Sequence, residues 1–221
     1  RVRNLFDVPV FVTPFSVSGS DGCVVFAGEE ALILLAGTAD VSDVLRDCDT
    51  KLIGWSRHSG KVTRGFWKAA ILPMAHIIDL LGSVRELSFI GHSLGAAAAQ
   101  IMAAEFVQAG YRVKEITCFG TPRGFDKDAA KYYNALIGDI TCRVVNINDP
   151  VTVFLPGRVS AGKAIYIEHG NDKILMELAP YQRALKMARS YWAAIKKPGL
   201  QSLESHKMIS GYIAPLSCLS K

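Results

Sequence analysis

The stretch that decides the fold is Phe89-Ile-Gly-His-Ser-Leu-Gly-Ala-Ala-Ala-Ala-Gln100, FIGHSLGAAAAQ. Residues 87–90, Leu-Ser-Phe-Ile, read as the end of a buried strand, while residues 94–108, rich in small side chains, read as a helix. Ser93 therefore stands on a strand-to-helix corner with almost no connecting loop. Glycine at 91 and 95 removes the side chains that would clash where the backbone turns so sharply. The alanines let the following helix pack close to the sheet. This Gly-x-Ser-x-Gly pattern holds a nucleophilic serine above a sheet in a strained turn.

Working outward, short apolar runs alternate with longer helical patterns. Candidate strands cover 23–26, 31–36, 51–55, 86–90, 113–119 and 140–147, followed by 164–168 and 173–177 flanking the hairpin-type turn His169-Gly-Asn-Asp172. Candidate helices cover 65–81, with a kink at Pro73, then 94–108, 126–136 and 181–197, with a short final helix over 206–213. This alternation implies an α/β sheet that is parallel in its middle. No repeat, low-complexity tract or linker divides the chain, so residues 1–221 are expected to form a single domain.

Half of the 221 residues are apolar, enough for one substantial core. No apolar run approaches the length of a membrane span, and a soluble protein is expected. The start, RVRNLFDVPV, has neither an initiator Met nor a long apolar stretch, which leaves a removed signal peptide or a trimmed chain open. The five cysteines are scattered and odd in number, and no Cys/His spacing suits zinc. That usage favours an intracellular origin over a secreted one.

Charge is concentrated at the far end. Residues 181–221 hold seven Lys and Arg against Glu204 alone, a net +6, while the rest of the chain is close to neutral. Within 181–197, Leu185, Ala188, Trp192 and Ile195 form an apolar stripe at helical spacing. Such a basic amphipathic helix is suited to transient contact with an anionic lipid surface. The plainer reading packs the stripe on the sheet and leaves the basic face in water. No signature of nucleic-acid binding accompanies the charge, and nucleic acid is not an expected partner.

A serine hydroxyl becomes a nucleophile only when a base takes its proton and a third group orients that base. In hydrolases built on such an elbow the acid follows the serine and the histidine comes last. Two histidines lie downstream, His169 in the hairpin turn and His206 beyond all the candidate strands. His206 is the expected base. The best acid is Asp149 in RVVNINDPVTVFLP, directly after an apolar strand and therefore at the same sheet edge as Ser93, with Pro150 holding it extended. Asp126, Asp128 and Asp139 read as caps and solvated charges. The oxyanion donors are expected to be the backbone N–H groups of Leu94, at a helix amino end, and of Thr38, after the buried strand ALILLAGT.

With these segments in hand, the chain resembles the class 3 lipases, the family of fungal-type triacylglycerol lipases and plant phospholipases A1. The resemblance rests on LLAGT at 34–38, VTRGF at 62–66, FIGHSLGAAAA at 89–99, ITCFGTPRGFD at 116–126, RVVNINDPVTVFLP at 143–156 and SHKMISGY at 205–212. It implies the α/β-hydrolase fold, a mostly parallel central sheet with helices on both faces. It also implies Ser93 as nucleophile, Asp149 as orienting acid, His206 as base, and Thr38 with Leu94 as oxyanion hole. An ester or lipid is the implied substrate, cleaved with no metal or organic cofactor. Triacylglycerol, phospholipid and small-ester hydrolysis share this machinery, as does acyl transfer. An inactive lipid-binding or scaffold protein of the same fold is the non-enzymatic alternative.

Two departures from the family pattern stand out. Thr63 replaces the histidine often found in the segment before Gly65-Phe66. Where fungal relatives carry an amphipathic lid, residues 39–49 hold four aspartates and only Val41, Val44 and Leu45 as sizeable aliphatics. An open or barely covered site with weak interfacial activation is the expectation. His92, beside the serine, reads as a packing or supporting residue. Gly120 and Pro122 read as structural, shaping a turn near the site.

Overall fold

In chain order the strands are Val10–Val17 (β1), Ser20–Ala27 (β2), Glu30–Leu35 (β3), Leu52–Gly54 (β4), Lys61–Thr63 (β5), Glu86–His92 (β6), Arg112–Phe119 (β7), Thr141–Asn146 (β8), Lys163–Glu168 (β9) and Lys173–Leu175 (β10). The α-helices are Arg64–Ile71 (α1), Met74–Leu81 (α2), Leu94–Gln108 (α3) and Lys127–Ile137 (α4). This computed structural model describes residues 9–37, 49–55, 59–168, 173–175 and 206–213.

Eight strands form one sheet in the order β1-β2-β3-β6-β7-β8-β9-β10. The four pairings from β3 to β9 are parallel, and antiparallel hairpins close both ends. The crossovers β3→β6, β6→β7 and β7→β8 all step the same way, so right-handed connections place α1–α4 on one face. The helix expected over 181–197 lies outside the described residues, and helical cover is described for that one face.

α3 is buried on nearly every side, from Gly95 through Phe106. Its small side chains make that enclosure possible. A Cβ on Gly95 would lie 2.3 Å from the Leu35 carbonyl oxygen, and one on Gly91 would lie 2.6 Å from Ala96 Cα. The one polar side chain in this stretch that is fully buried, Gln100, is satisfied by donating to the Ala161 carbonyl at 2.9 Å.

The structure refines several of these expectations. β1 has no counterpart among the candidate strands. It is an edge strand containing Pro14, a residue tolerated there because an edge leaves one row of amides unpaired. The strand expected over 51–55 is not part of the main sheet, since β4 pairs with the three-residue β5 in a separate ribbon. The helix expected over 65–81 is two helices, broken at Leu72-Pro73. Proline lacks the N–H that would continue the ladder, and its carbonyl instead accepts from Ile77 at 3.0 Å to open α2. The expected hairpin pairs β9 with β10 in antiparallel register, while its turn, 169–172, lies outside the described residues. The remaining strands, α3 and α4 lie where the pattern placed them. Asp126 caps α4, its Oδ1 accepting from Ala129 N–H at 2.8 Å.

Candidate active site

Ser93 follows β6 with φ 56° and ψ −125°, a conformation that a residue with a side chain adopts at a cost of about 1–3 kcal/mol. Neighbouring backbone groups hold it there. Its N–H donates to the Phe119 carbonyl at 2.9 Å, and its carbonyl accepts from Ala96 at 3.0 Å and Ala97 at 3.2 Å. Leu94 is the first residue of α3, so its N–H belongs to the amides a helix leaves without an internal partner.

Asp149 follows β8 after a short turn, with φ −82° and ψ 111°, the extended geometry expected before Pro150. Its Oδ1 accepts from Val151 N–H at 2.9 Å, capping the 3-10 turn Pro150–Val153. His206 precedes the π-type turn Met208–Ile213, and its Nδ1–H donates to Asp149 Oδ2 at 2.7 Å. Both side chains are fully buried. A proton fixed on Nδ1 leaves Nε2 of the neutral ring as a base. Neither the Ser93 hydroxyl nor His206 Nε2 has a hydrogen-bond partner among the described residues, and both atoms are buried.

Tyr212 closes the segment SHKMISGY, but the sequence alone gives it no role. Its hydroxyl donates to Asp149 Oδ2 and accepts from Asn146 N–H at 3.4 Å. Burial first, and the Asp149 charge second, raise its phenol well above the ordinary value, so it remains a donor. No spacing rule would have marked this tyrosine, six residues beyond the histidine. Gly120 has the structural role expected of it. At φ +60° its added Cβ would lie 3.0 Å from each of Asp149 Oδ2, His206 Cε1 and the Tyr212 hydroxyl.

His92 turns away from α3, and its Nε2–H donates to the His206 backbone carbonyl at 2.7 Å. Burial chiefly, and then the charge His206 can carry, lower the His92 pKa from its ordinary value. Thr63 is buried and donates to the Gly124 carbonyl at 3.2 Å, tying the loop after β7. Thr38 lies outside the described residues, as does 39–48 of the charged segment. Gly37, just before, is pressed against the elbow, for a Cβ on it would lie 2.9 Å from Ser93 Cβ. His76 is exposed on α2, and His58 and His169 lie outside the described residues.

The family model for Lipase (class 3) matches residues 32–158, more than half of the chain. The chain belongs to the class 3 lipases. A curated relative, Lipase A of Sodiomyces alcalophilus, is 29% identical over 133 residues, covering 55% of this chain and 29% of its own length. Among solved structures, a deletion mutant of the Rhizomucor miehei lipase propeptide complex aligns with a TM-score of 0.64 at 21% identity, covering 75% of this chain and 57% of that one. A triacylglycerol lipase whose catalytic centre is a serine protease triad aligns at 0.68 and 19% identity, covering 80% and 76%. These likenesses show the α/β-hydrolase fold. This class 3 lipase chain thus spans under a third of the curated relative and just over half of the Rhizomucor protein.

Proposed function

We propose that this chain is a serine hydrolase that cleaves carboxylic esters of lipids through Ser93, His206 and Asp149. The observation that supports this most is the buried bond from His206 Nδ1–H to Asp149 Oδ2, 2.7 Å long, over a sheet edge where Ser93 is held at φ 56°. His206 Nε2 takes the Ser93 proton as the serine oxygen attacks the ester carbonyl. The backbone N–H groups of Leu94 and Thr38 hold the resulting oxyanion, and each such donor is worth about 3–4 kcal/mol to the transition state. Asp149 keeps the proton on Nδ1 and stabilises the imidazolium. The alcohol then departs with the proton from His206, and water resolves the acyl-enzyme by the same route.

Hydrolysis of p-nitrophenyl esters from acetate to palmitate, wild type beside Ser93→Ala, tests the reading. Turnover that falls by at least about 10⁴-fold in the variant supports it. Equal rates in both proteins, or none in either, defeat it and favour a binding protein of the same fold. The aspartate-rich composition of 39–49 supports weak interfacial activation, which predicts a tributyrin rate rising smoothly through the solubility limit; a sharp jump there refutes that part.

A further inference from the structure

Side chains alternate along β6, sending Leu87, Phe89 and Gly91 towards α3 and His92 to the other face of the sheet. There the His92 ring lies 4.8 Å from the His206 ring, tilted by 31°, and 6.0 Å from Tyr212, edge-on at 70°. A carbonyl oxygen can only accept, so the 2.7 Å contact to the His206 backbone fixes the His92 proton on Nε2. On its far side the ring meets Gly37, where a Cβ would come within 3.1 Å of Nδ1. His92 is thus gripped between the end of β3 and the turn that carries His206.

An imidazole held only at Nδ1 can pivot about that one bond. A second hold, on the carbonyl of the same residue, removes the pivot and fixes where Nε2 points. We propose that His92 is a positioning residue for His206, its Nε2–H anchoring the His206 backbone so that the ring meets Asp149 and Ser93 in a single orientation; this rests on the reading of His206 as the base. His92 touches no reacting atom in this role. Its lowered pKa agrees with the role, because a ring packed 4.8 Å from His206 must stay neutral while His206 carries the serine proton. Misplacement of a reacting group by about 1 Å costs on the order of 100-fold in rate, and loss of His92 also strands a buried carbonyl acceptor.

The test compares His92→Phe, which keeps a ring without the donor, with His92→Gln, whose amide nitrogen matches the reach of Nε2. His92→Asn, whose amide is too short for the His206 carbonyl, repeats the loss without the change to an apolar ring. On p-nitrophenyl butyrate, His92→Phe and His92→Asn are expected to lose about 10- to 100-fold in kcat with KM within about twofold, and His92→Gln to recover most of it. The downfield proton resonance of the His206–Asp149 bond is read in the same proteins without substrate. It should exchange with solvent at least about tenfold faster in the Phe and Asn variants and keep its wild-type rate in the Gln variant. A His92→Phe kcat within about threefold of wild type, with that proton unchanged, overturns the proposal. So do losses of equal size in all three variants that track their thermal midpoints. If the wild type has no esterase activity the serine-hydrolase reading fails, and the proton exchange alone still decides whether His92 holds the pair.

Discussion

The Tyr212 hydroxyl donates to the same Asp149 oxygen, Oδ2, that accepts the Nδ1–H of His206. With Val151 N–H on Oδ1, the carboxylate accepts from three donors and faces His206 in a fixed plane. Tyr212→Phe removes one donor and keeps the ring, which packs edge-on against Phe119 at 6.0 Å. The variant is expected to lose about tenfold in kcat and about 1–2 kcal/mol of stability, read from ester hydrolysis and urea unfolding. An unchanged kcat would show that His206 and Val151 suffice to orient Asp149.

Gly120 tests how closely the same three side chains are packed. Gly120→Ala adds a methyl 3.0 Å from Asp149 Oδ2, His206 Cε1 and the Tyr212 hydroxyl, at a backbone with φ +60°. Kinetics should suffer more than folding, with about 100-fold lost in kcat against about 1–3 kcal/mol in stability. Comparing kcat with the thermal midpoint separates the two effects.

Acid should weaken the fold through His92. The unfolded chain takes up a proton on this residue near its ordinary value of 6.5, whereas the folded chain resists until the pH is lower. Between those two values the unfolded state binds more protons, so stability rises with pH there; it is intact above 6.5, and the loss is complete below the folded value. Urea unfolding across that window should show a slope of at most about 1.4 kcal/mol per pH unit, smaller in His92→Gln. Tyr212, held well above the ordinary phenol range, is expected to leave any alkaline limb of activity unchanged when replaced by Phe.

The close approach of α3 to the sheet predicts a third kind of loss. Gly95→Ala brings a methyl 2.3 Å from the Leu35 carbonyl oxygen and 2.5 Å from that of Ala36, both backbone atoms. About 2–3 kcal/mol of stability should disappear. Gly54→Ala, whose methyl meets nothing within 4 Å, is the control and should change stability by less than about 0.5 kcal/mol. Thermal midpoints of the two variants check both.

The legible parts of the sequence were those where chemistry restricts residue type within a short stretch. Ser93 between two glycines, Asp149 before a proline and His206 after the last candidate strand each stand out locally, and a buried 2.7 Å bond joins the last two side chains. Tyr212 did not, because a tyrosine near a histidine obeys no local rule and its contact with Asp149 closes 63 residues. The His92 contact closes 114 and ends on a backbone carbonyl, which residue identity cannot encode. β1 was hidden by Pro14, which reads as a strand breaker until its edge position is known. Pro73 marks the break in the sequence, but whether a proline bends a helix or ends it depends on the packing of the turn around it.

The backbone at Ser93 also limits what mutation can put in its place. At φ 56° and ψ −125° threonine would add a β-methyl to an already disfavoured conformation, so the alternative hydroxyl nucleophile is closed off. Glycine is at ease there and would return about 1–2 kcal/mol to the fold. Drift towards stability and drift towards inactivity therefore point the same way at this codon, and a population selected for sturdiness alone would discard the serine on which the proposed chemistry depends.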